Sequence, residues 1–181
     1  MVELARPMKG YLIVIGVFAA VAVVGWYGER AYQYSQAERA LLDEEYVIAH
    51  ERLWPLAQRD HVGAQEYMAM LYSFGDGVRQ STERAIYWHK RAADNGSPSS
   101  QLAVGSRYLL GQGVVQDTKT GAHYIALSAK QGIAEAEMTL GSLYYSGEGL
   151  PKDDKQAIKW MSKAVEQGIS PPEWYIELTA P

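Results

Sequence analysis

A period of 36 residues runs through much of the chain and limits the folds that it can adopt. An internal period of roughly 20–50 residues is typical of solenoids, in which each unit buries its apolar face only against its neighbours. The spacing therefore predicts a stack of repeated units. Four sets of equivalent residues keep the period through three copies without an insertion: Tyr72, Tyr108 and Tyr144; Gly75, Gly111 and Gly147; Gly77, Gly113 and Gly149; and Gly96, Gly132 and Gly168.

Each copy divides into two helical patterns joined by a loop. In the third copy, AEMTLGSLYY carries apolar and small residues at helical spacing, GEGLPKD interrupts the helix, and AIKWMSKA resumes the pattern. The fold class is therefore all-α, an α-solenoid of helix-loop-helix units. Helix A is predicted at about 64–74, 100–110 and 136–146, and helix B at about 82–95, 118–131 and 154–167. The predicted N-caps of helix B are Ser81, Asp117 and Asp153.

The loop of the first copy reads GDG, which also occurs in calcium and phosphate loops. In place of Asp76, however, the other copies have Gln112 and Glu148, while both glycines recur. A ligand site would not tolerate that exchange of side chains, so the backbone is what the motif preserves. We predict positive φ angles here and a close passage between helices A and B.

The residues on either side of the repeats read as caps. Ala40–Arg59 resembles a degenerate helix B, which Pro55 would kink or shift, and residues 28–39 form a helical extension or stalk. Pro171 to Ile176 can start a short closing helix. The predicted division of the chain is 1–9, a short N-terminal segment; 10–28, a membrane helix; 29–63, a stalk and capping half-repeat; 64–99, 100–135 and 136–170, the repeats; and 171–181, a C-terminal cap.

The N-terminal stretch YLIVIGVFAAVAVVGW, residues 11–26, contains no charged residue. A spanning helix needs roughly 17–25 apolar residues, and the preceding Arg6 and Lys9 favour a cytoplasmic N-terminus. The sequence predicts a single transmembrane helix or uncleaved signal anchor at 10–28, an inner-membrane localisation and periplasmic repeats. The alternative is a signal peptide cleaved near Ala20-Val21-Ala22, which would release a secreted or periplasmic protein.

Composition argues against several functional classes. The net charge is −4 without a basic run, which disfavours nucleic-acid binding. The chain has no cysteine, so disulfides, cysteine-ligated metals and a cysteine nucleophile are excluded. Its histidines lack metal-ligand spacing and are expected to be solvated: His50, His61, His89 and His123. We predict a protein that is not an enzyme and binds no cofactor or metal, with a hydrolase built on the same scaffold as the less favoured alternative.

The segments AEMTLGSLYYSGEG, residues 136–149, and AIKWMSKA, residues 157–164, resemble the Sel1-like repeat, a relative of the tetratricopeptide repeat. The resemblance covers residues 64–169 in three copies. It implies an adaptor that binds a protein or peptide partner, here an interaction module of the bacterial cell envelope. An immunity protein that neutralises a secreted toxin is the alternative that the resemblance leaves open, and the oligomeric state is also open.

The surfaces of the A helices are the predicted binding face, because stacked hairpins form a curved surface that these helices line. Their outward residues differ between copies and are free to specify a partner. For Leu102, Leu109 and Met138 the competing interpretation is packing against neighbouring units. The predicted partner-binding residues are Glu66, Tyr67, Met70, Leu102, Ser106, Arg107, Leu109, Met138, Ser142 and Tyr145.

Overall fold

The computed structural model describes residues 27–180, and every regular element among them is a helix. The prediction of an all-α protein is confirmed. The first helix, α1, covers 27–42 within the described residues. The remaining helices are α2 (Tyr46–Gln58), α3 (Val62–Phe74), α4 (Thr82–Asp94), α5 (Pro98–Leu110), α6 (Thr118–Lys130), α7 (Ala134–Ser146), α8 (Asp154–Glu166) and α9 (Glu173–Thr179).

Helices α3 to α8 form three hairpins, each an A helix followed by a B helix, and each hairpin packs against the next. The predicted α-solenoid is confirmed. The predicted N-caps of helix B are confirmed as well: Ser81 accepts from the backbone N–H of Arg84, and Asp153 from that of Gln156. Asp117 does the same at the start of α6.

A fourth hairpin, α1 and α2, precedes the three repeats. Helix α2 keeps the period, since Tyr46 lies one repeat length before Thr82. The single helix expected over Ala40–Arg59 is not what the structure shows. Ala40 belongs to α1, and a turn that includes Glu44 at φ 59° separates the two helices. Pro55 lies inside α2, which continues to Gln58.

The buried residues form an extended core along the stack. Its N-terminal cluster joins Ala37 of α1 and Leu53 of α2 to Met68 of α3 and Trp88 of α4. Helix α1 is therefore part of the packed solenoid, because its small residues lie against the first repeat. A second cluster joins α6 and α7 around Ile125 and Leu140.

The second glycine of each loop lies against the B helix of the preceding unit. A Cβ built on Gly77 would lie 2.5 Å from the carbonyl carbon of Tyr46, and one built on Gly113 would lie 2.7 Å from Cδ1 of Ile86. The predicted positive φ angles are confirmed for both glycines of every loop. The prediction that the loop passes closely between helices A and B of its own unit is corrected. The second glycine instead lies against helix B of the preceding unit.

Side-chain amides join consecutive units at their junctions. The Gln65 side chain donates to the carbonyl of Ala57 at 3.0 Å and accepts from Asn95 at 3.0 Å. Gln101 repeats the arrangement one unit later, donating to Ala93 at 3.1 Å and accepting from Gln131 at 2.8 Å. These junction bonds satisfy buried polar groups that would otherwise destabilise the interface between units.

The third junction differs because it has a carboxylate, Glu137, which is 3 % exposed. Glu137 accepts from Gln167 at 2.7 Å but has no proton to donate. At this junction the carbonyl of Ala129, which is equivalent to those of Ala57 and Ala93, accepts only from backbone N–H groups among the described residues. The third junction therefore lacks the side-chain hydrogen bond to that carbonyl.

Glu137→Gln is expected to stabilise the protein by about 1 kcal/mol, because the new amide can donate to the Ala129 carbonyl and still accept from Gln167. The free energy of unfolding in urea measures the change. The matched reverse substitution, Gln101→Glu, is expected to destabilise by a similar amount. A lower stability of Glu137→Gln would contradict this account of the junction.

The membrane prediction is corrected. Among residues 27–180, no helix has both the length and the apolar character that crossing a bilayer requires. The described part of α1 carries four charged residues: Glu29, Arg30, Glu38 and Arg39. The localisation as a single-pass inner-membrane protein with periplasmic repeats is therefore wrong on this finding. The predicted span, 10–28, lies outside the described residues except for Tyr27 and Gly28, and the cleavage site at 20–22 lies entirely outside them.

Candidate functional site

An open cleft of about 430 Å³ lies where helix α1 meets the first two repeats. Helices α1, α3, α4 and α5 all contribute side chains to it. The lining residues are Tyr34, Glu66, Tyr67, Met70, Ser73, Phe74, His89, Ser99 and Ser100. Three of the predicted partner-binding residues, Glu66, Tyr67 and Met70, therefore lie together in one cleft.

The apolar wall of the cleft is an outward stripe of α3. Tyr67, Met70 and Phe74 follow one another at steps of three and four, which places them on one face of the helix. Met68 and Leu71 lie between them in sequence and are buried in the core. Met70 is 42 % exposed and Phe74 is 69 % exposed. Tyr67 is half-buried and packs against the core cluster, so Met70 and Phe74 are the part of this stripe that the solenoid leaves exposed.

Tyr34 of α1 closes one side of the cleft. Its ring centroid lies 6.2 Å from that of Tyr67 and 4.2 Å from that of His61. Gly63 leaves the space for this ring, because a Cβ there would lie 2.9 Å from Cζ of Tyr34. The cleft is thus formed by packing α1 against α3.

The polar side of the cleft is hydrogen-bonded. The Ser97 hydroxyl donates to Glu66 at 2.5 Å, and the Ser99 hydroxyl donates to the same carboxylate oxygen. Nδ1 of His89 lies 3.2 Å from the hydroxyl oxygen of Ser100. These contacts hold Glu66 and His89 in fixed positions before any ligand is present.

His89 is mostly withdrawn from solvent. Burial lowers its pKa, the charge of Arg107 lowers the pKa further, and Glu66 opposes both effects. His89 is therefore neutral near pH 7. Burial also lowers the pKa of His50, which lies 3.1 Å from the Tyr72 hydroxyl, and that of His61, whose Nδ1 accepts from Ala64. The expectation of solvated histidines is wrong for these three and holds for His123, which is exposed.

The predicted site residues of the second repeat do not join this cleft. Leu102 and Leu109 pack against the core cluster of α6 and α7. Leu109 lies so close to Gly121 that a Cβ there would be 2.7 Å from Cγ of Leu109. Ser106 is half-buried, and the Arg107 guanidinium donates to the carbonyl of Gln112 at 3.5 Å.

In the third repeat, the C-terminal helix covers part of the predicted face. Tyr145 stacks on Trp174, with centroids 4.6 Å apart and an interplanar angle of 12°. Met138 and Ser142 are half-buried, and the Ser142 hydroxyl donates to the Met138 carbonyl at 3.1 Å. Tyr145 is therefore partly occupied by a contact within the chain.

Sequence reasoning missed several residues of the cleft. Tyr34 is among them because α1 breaks the repeat motif, so nothing in the sequence places it beside Tyr67. Phe74 carries a usable signal, since it is a large apolar residue at the end of helix A, as is Leu110 one unit later, and both are exposed. The others missed are His89, Ser99 and Ser100.

The comparison with protein families agrees with the helix boundaries. The model of the Sel1 repeat matches residues 62–97, 98–133 and 134–169. The chain belongs to the Sel1-repeat family. Each matched segment begins at the first residue of an A helix: Val62, Pro98 and Ala134. The prediction of three Sel1-like repeats is confirmed.

Solved structures with Sel1 repeats resemble this one. A Sel1 repeat protein from Oxalobacter formigenes is 33 % identical, with a TM-score of 0.62 over 69 % of this chain and 92 % of that one. The protective antigen c5321 from uropathogenic Escherichia coli is 28 % identical, with a TM-score of 0.71 over 83 % of this chain and 33 % of that one. This chain therefore spans about a third of that antigen.

A third structure, the cysteine-rich protein B of Helicobacter pylori, shares the fold at 24 % identity, with a TM-score of 0.51 over 67 % of this chain and 92 % of that one. The comparison with curated protein sequences finds no match. Sel1-repeat proteins are generally protein–protein interaction modules, and the repeat is typically a non-catalytic scaffold. Within residues 27–180, no group of three or more acidic or histidine side chains could hold a metal ion.

Proposed function

We propose that this Sel1-repeat protein binds a protein partner through its A-helix face, with a segment of the partner in the cleft between α1, α3, α4 and α5. The observation that carries the proposal is the outward stripe of α3, in which Met70 and Phe74 remain exposed beside two tyrosines. Aromatic and methionine side chains of this kind act as anchors in protein interfaces. Helix α3 has 13 residues and is about 20 Å long, which suits a short helical or extended segment.

The repeat itself provides an internal comparison that supports the proposal. Residues that the fold requires recur in every unit, such as the loop glycines. The cleft residues do not recur. Tyr67, Met70 and Phe74 are replaced by Ala103, Ser106 and Leu110 in the second unit and by Thr139, Ser142 and Ser146 in the third. Folding of the solenoid therefore does not explain why these apolar side chains are present in the first unit.

The double substitution Met70→Glu with Phe74→Glu is expected to weaken partner binding about 30-fold or more, since losing an interface anchor typically costs about 2 kcal/mol. Immobilised full-length protein is incubated with an extract of the source organism, and the retained proteins are identified. The affinity of the purified partner is then measured by calorimetry for the original and altered proteins.

Val115→Glu is the matched control, because Val115 is 88 % exposed and lies in the loop between α5 and α6. The control is expected to bind normally. Equal binding by the double variant, or an equal loss in the control, would rule out the cleft as the binding site. No observation within residues 27–180 favours toxin immunity or hydrolysis, so we propose no second function.

A further inference from the structure

Besides its apolar wall, the cleft has acidic side chains beside it. Glu66 lines it, and Glu38 of α1 lies close enough to act on both tyrosines. Burial raises the pKa of Tyr34, and the Glu38 carboxylate raises the pKa further. Burial, Glu38 and Glu66, in that order, raise the pKa of Tyr67. The two tyrosine rings therefore lie in the field of two carboxylates.

These two carboxylates form none of the ion pairs found within residues 27–180. Those pairs are Arg39 with Asp43, Lys90 with Asp94, Arg91 with Asp60, and Lys152 with Asp154. Glu66 instead accepts from two neutral serine hydroxyls. Neutral donors hold the carboxylate in place but leave its negative charge uncompensated.

Two cations lie near the cleft. Arg107 acts on the pKa of His89, and its guanidinium donates to the Gln112 carbonyl. Arg30 acts on the pKa of His61, whose ring lies beside Tyr34. His89 is neutral because burial lowers its pKa. The charged groups that act on the pKa values of Tyr34 and Tyr67 are Glu38 and Glu66.

The acidic group belongs to this unit alone. The residues equivalent to Glu66 are Leu102 and Met138, which are apolar. The fold therefore does not require a carboxylate at this position of helix A. The hydroxyls of Ser97 and Ser99, at the junction with the following unit, hold the Glu66 carboxylate at the side of the cleft.

We propose that the partner segment carries a lysine or arginine beside an apolar side chain. This inference rests on the proposed function and specifies the chemistry of its ligand. The apolar side chain packs against Met70 and Phe74. The cation lies near Glu66 and along the rings of Tyr34 and Tyr67, where charge attraction and cation–π contact act together. An acidic nucleic-acid backbone would be repelled by the same carboxylates.

The test begins with a phage-displayed random peptide library selected on the full-length protein. We expect enrichment of peptides in which lysine or arginine adjoins leucine, isoleucine, methionine or phenylalanine. A synthetic copy of the best peptide is then titrated by fluorescence anisotropy. Glu66→Gln, which keeps an oxygen for the serine hydroxyls, is expected to weaken binding about tenfold. Higher ionic strength is expected to weaken binding to the unaltered protein.

Glu166→Gln on α8 is the matched control, because it removes the same charge at an exposed position. It is expected to leave peptide binding unchanged. Replacing the peptide's basic residue with norleucine should weaken binding to the unaltered protein but not further weaken binding to Glu66→Gln.

Two outcomes separate this inference from the proposed function. If selected peptides need Met70 and Phe74 but are apolar, without basic residues, and bind Glu66→Gln normally, the charge inference is wrong and the proposed function stands. If their binding survives the Met70 and Phe74 double substitution, the cleft is not the site and both proposals fail. A selection without binders overturns the inference, and the extract experiment still decides the proposed function.

Discussion

Gly149→Ala is expected to destabilise the protein by about 3 kcal/mol, because the substitution combines backbone strain with overlap between units. Gly149 has φ 72°, a conformation that costs an L-residue about 1–2 kcal/mol. A Cβ there would also overlap the carbonyl oxygen of Thr118 and lie 2.7 Å from its carbonyl carbon. Overpacking of this kind adds about 1–3 kcal/mol, since backbone atoms cannot move aside as a flexible side chain can.

Gly132→Ala separates the two contributions. Gly132 has φ 86°, but a Cβ there would meet no atom within 4 Å. Its substitution is expected to cost about 1–2 kcal/mol, which is the conformational part alone. Urea unfolding followed by circular dichroism measures both variants. Equal losses of stability would show that the contact with Thr118 is not a constraint on the stack.

Trp88→Ala is expected to destabilise the protein by about 3–5 kcal/mol, the usual range for removing a fully buried large aromatic side chain. Trp88 is 1 % exposed and belongs to the core cluster that joins the first repeat to α1 and α2. Its ring makes an edge contact with Trp54 at 5.6 Å, and the Arg91 guanidinium lies 5.5 Å from its centroid. The substitution leaves a cavity in the core cluster that joins α1, α2, α3 and α4.

Trp54, the other ring of this aromatic pair, supplies the control. Trp54 is 43 % exposed, so Trp54→Ala loses the edge contact with little cavity formation and is expected to cost about 1 kcal/mol. Thermal unfolding by calorimetry measures both variants. If Trp54→Ala were as destabilising as Trp88→Ala, the stability would come from the ring contact rather than from burial.

The 36-residue period predicted the architecture because the residues that the helical stack needs are the ones that recur at this spacing. Loop glycines and N-cap residues recur in every unit. Their residue types indicate their roles, which are a positive φ angle in the loop and a hydrogen bond at the start of helix B. The helix A starts were less well predicted, at about residue 64 instead of Val62 and at about residue 100 instead of Pro98. The missed signal was the N-cap preceding each helix, His61 and Ser97, together with a proline at the first helical position of α5.

The cleft could be predicted only in part, because it depends on a helix outside the repeat. Glu66, Tyr67 and Met70 follow from the A-helix surface pattern, whereas Tyr34 enters through the packing of α1. Leu102 and Leu109 show the limit of the same reasoning. Both pack against the core cluster of α6 and α7, and Leu109 lies against Gly121 of its own unit. The role of all the predicted residues in partner binding stays a prediction.

The contact of each second loop glycine with the preceding unit has a consequence for how the protein is made. Gly77 packs against the start of α2, and Gly149 against the start of α6, so each loop packs against a helix that has already left the ribosome. The stack can therefore be assembled in the order of its synthesis, with each new hairpin docking on a surface that is already folded.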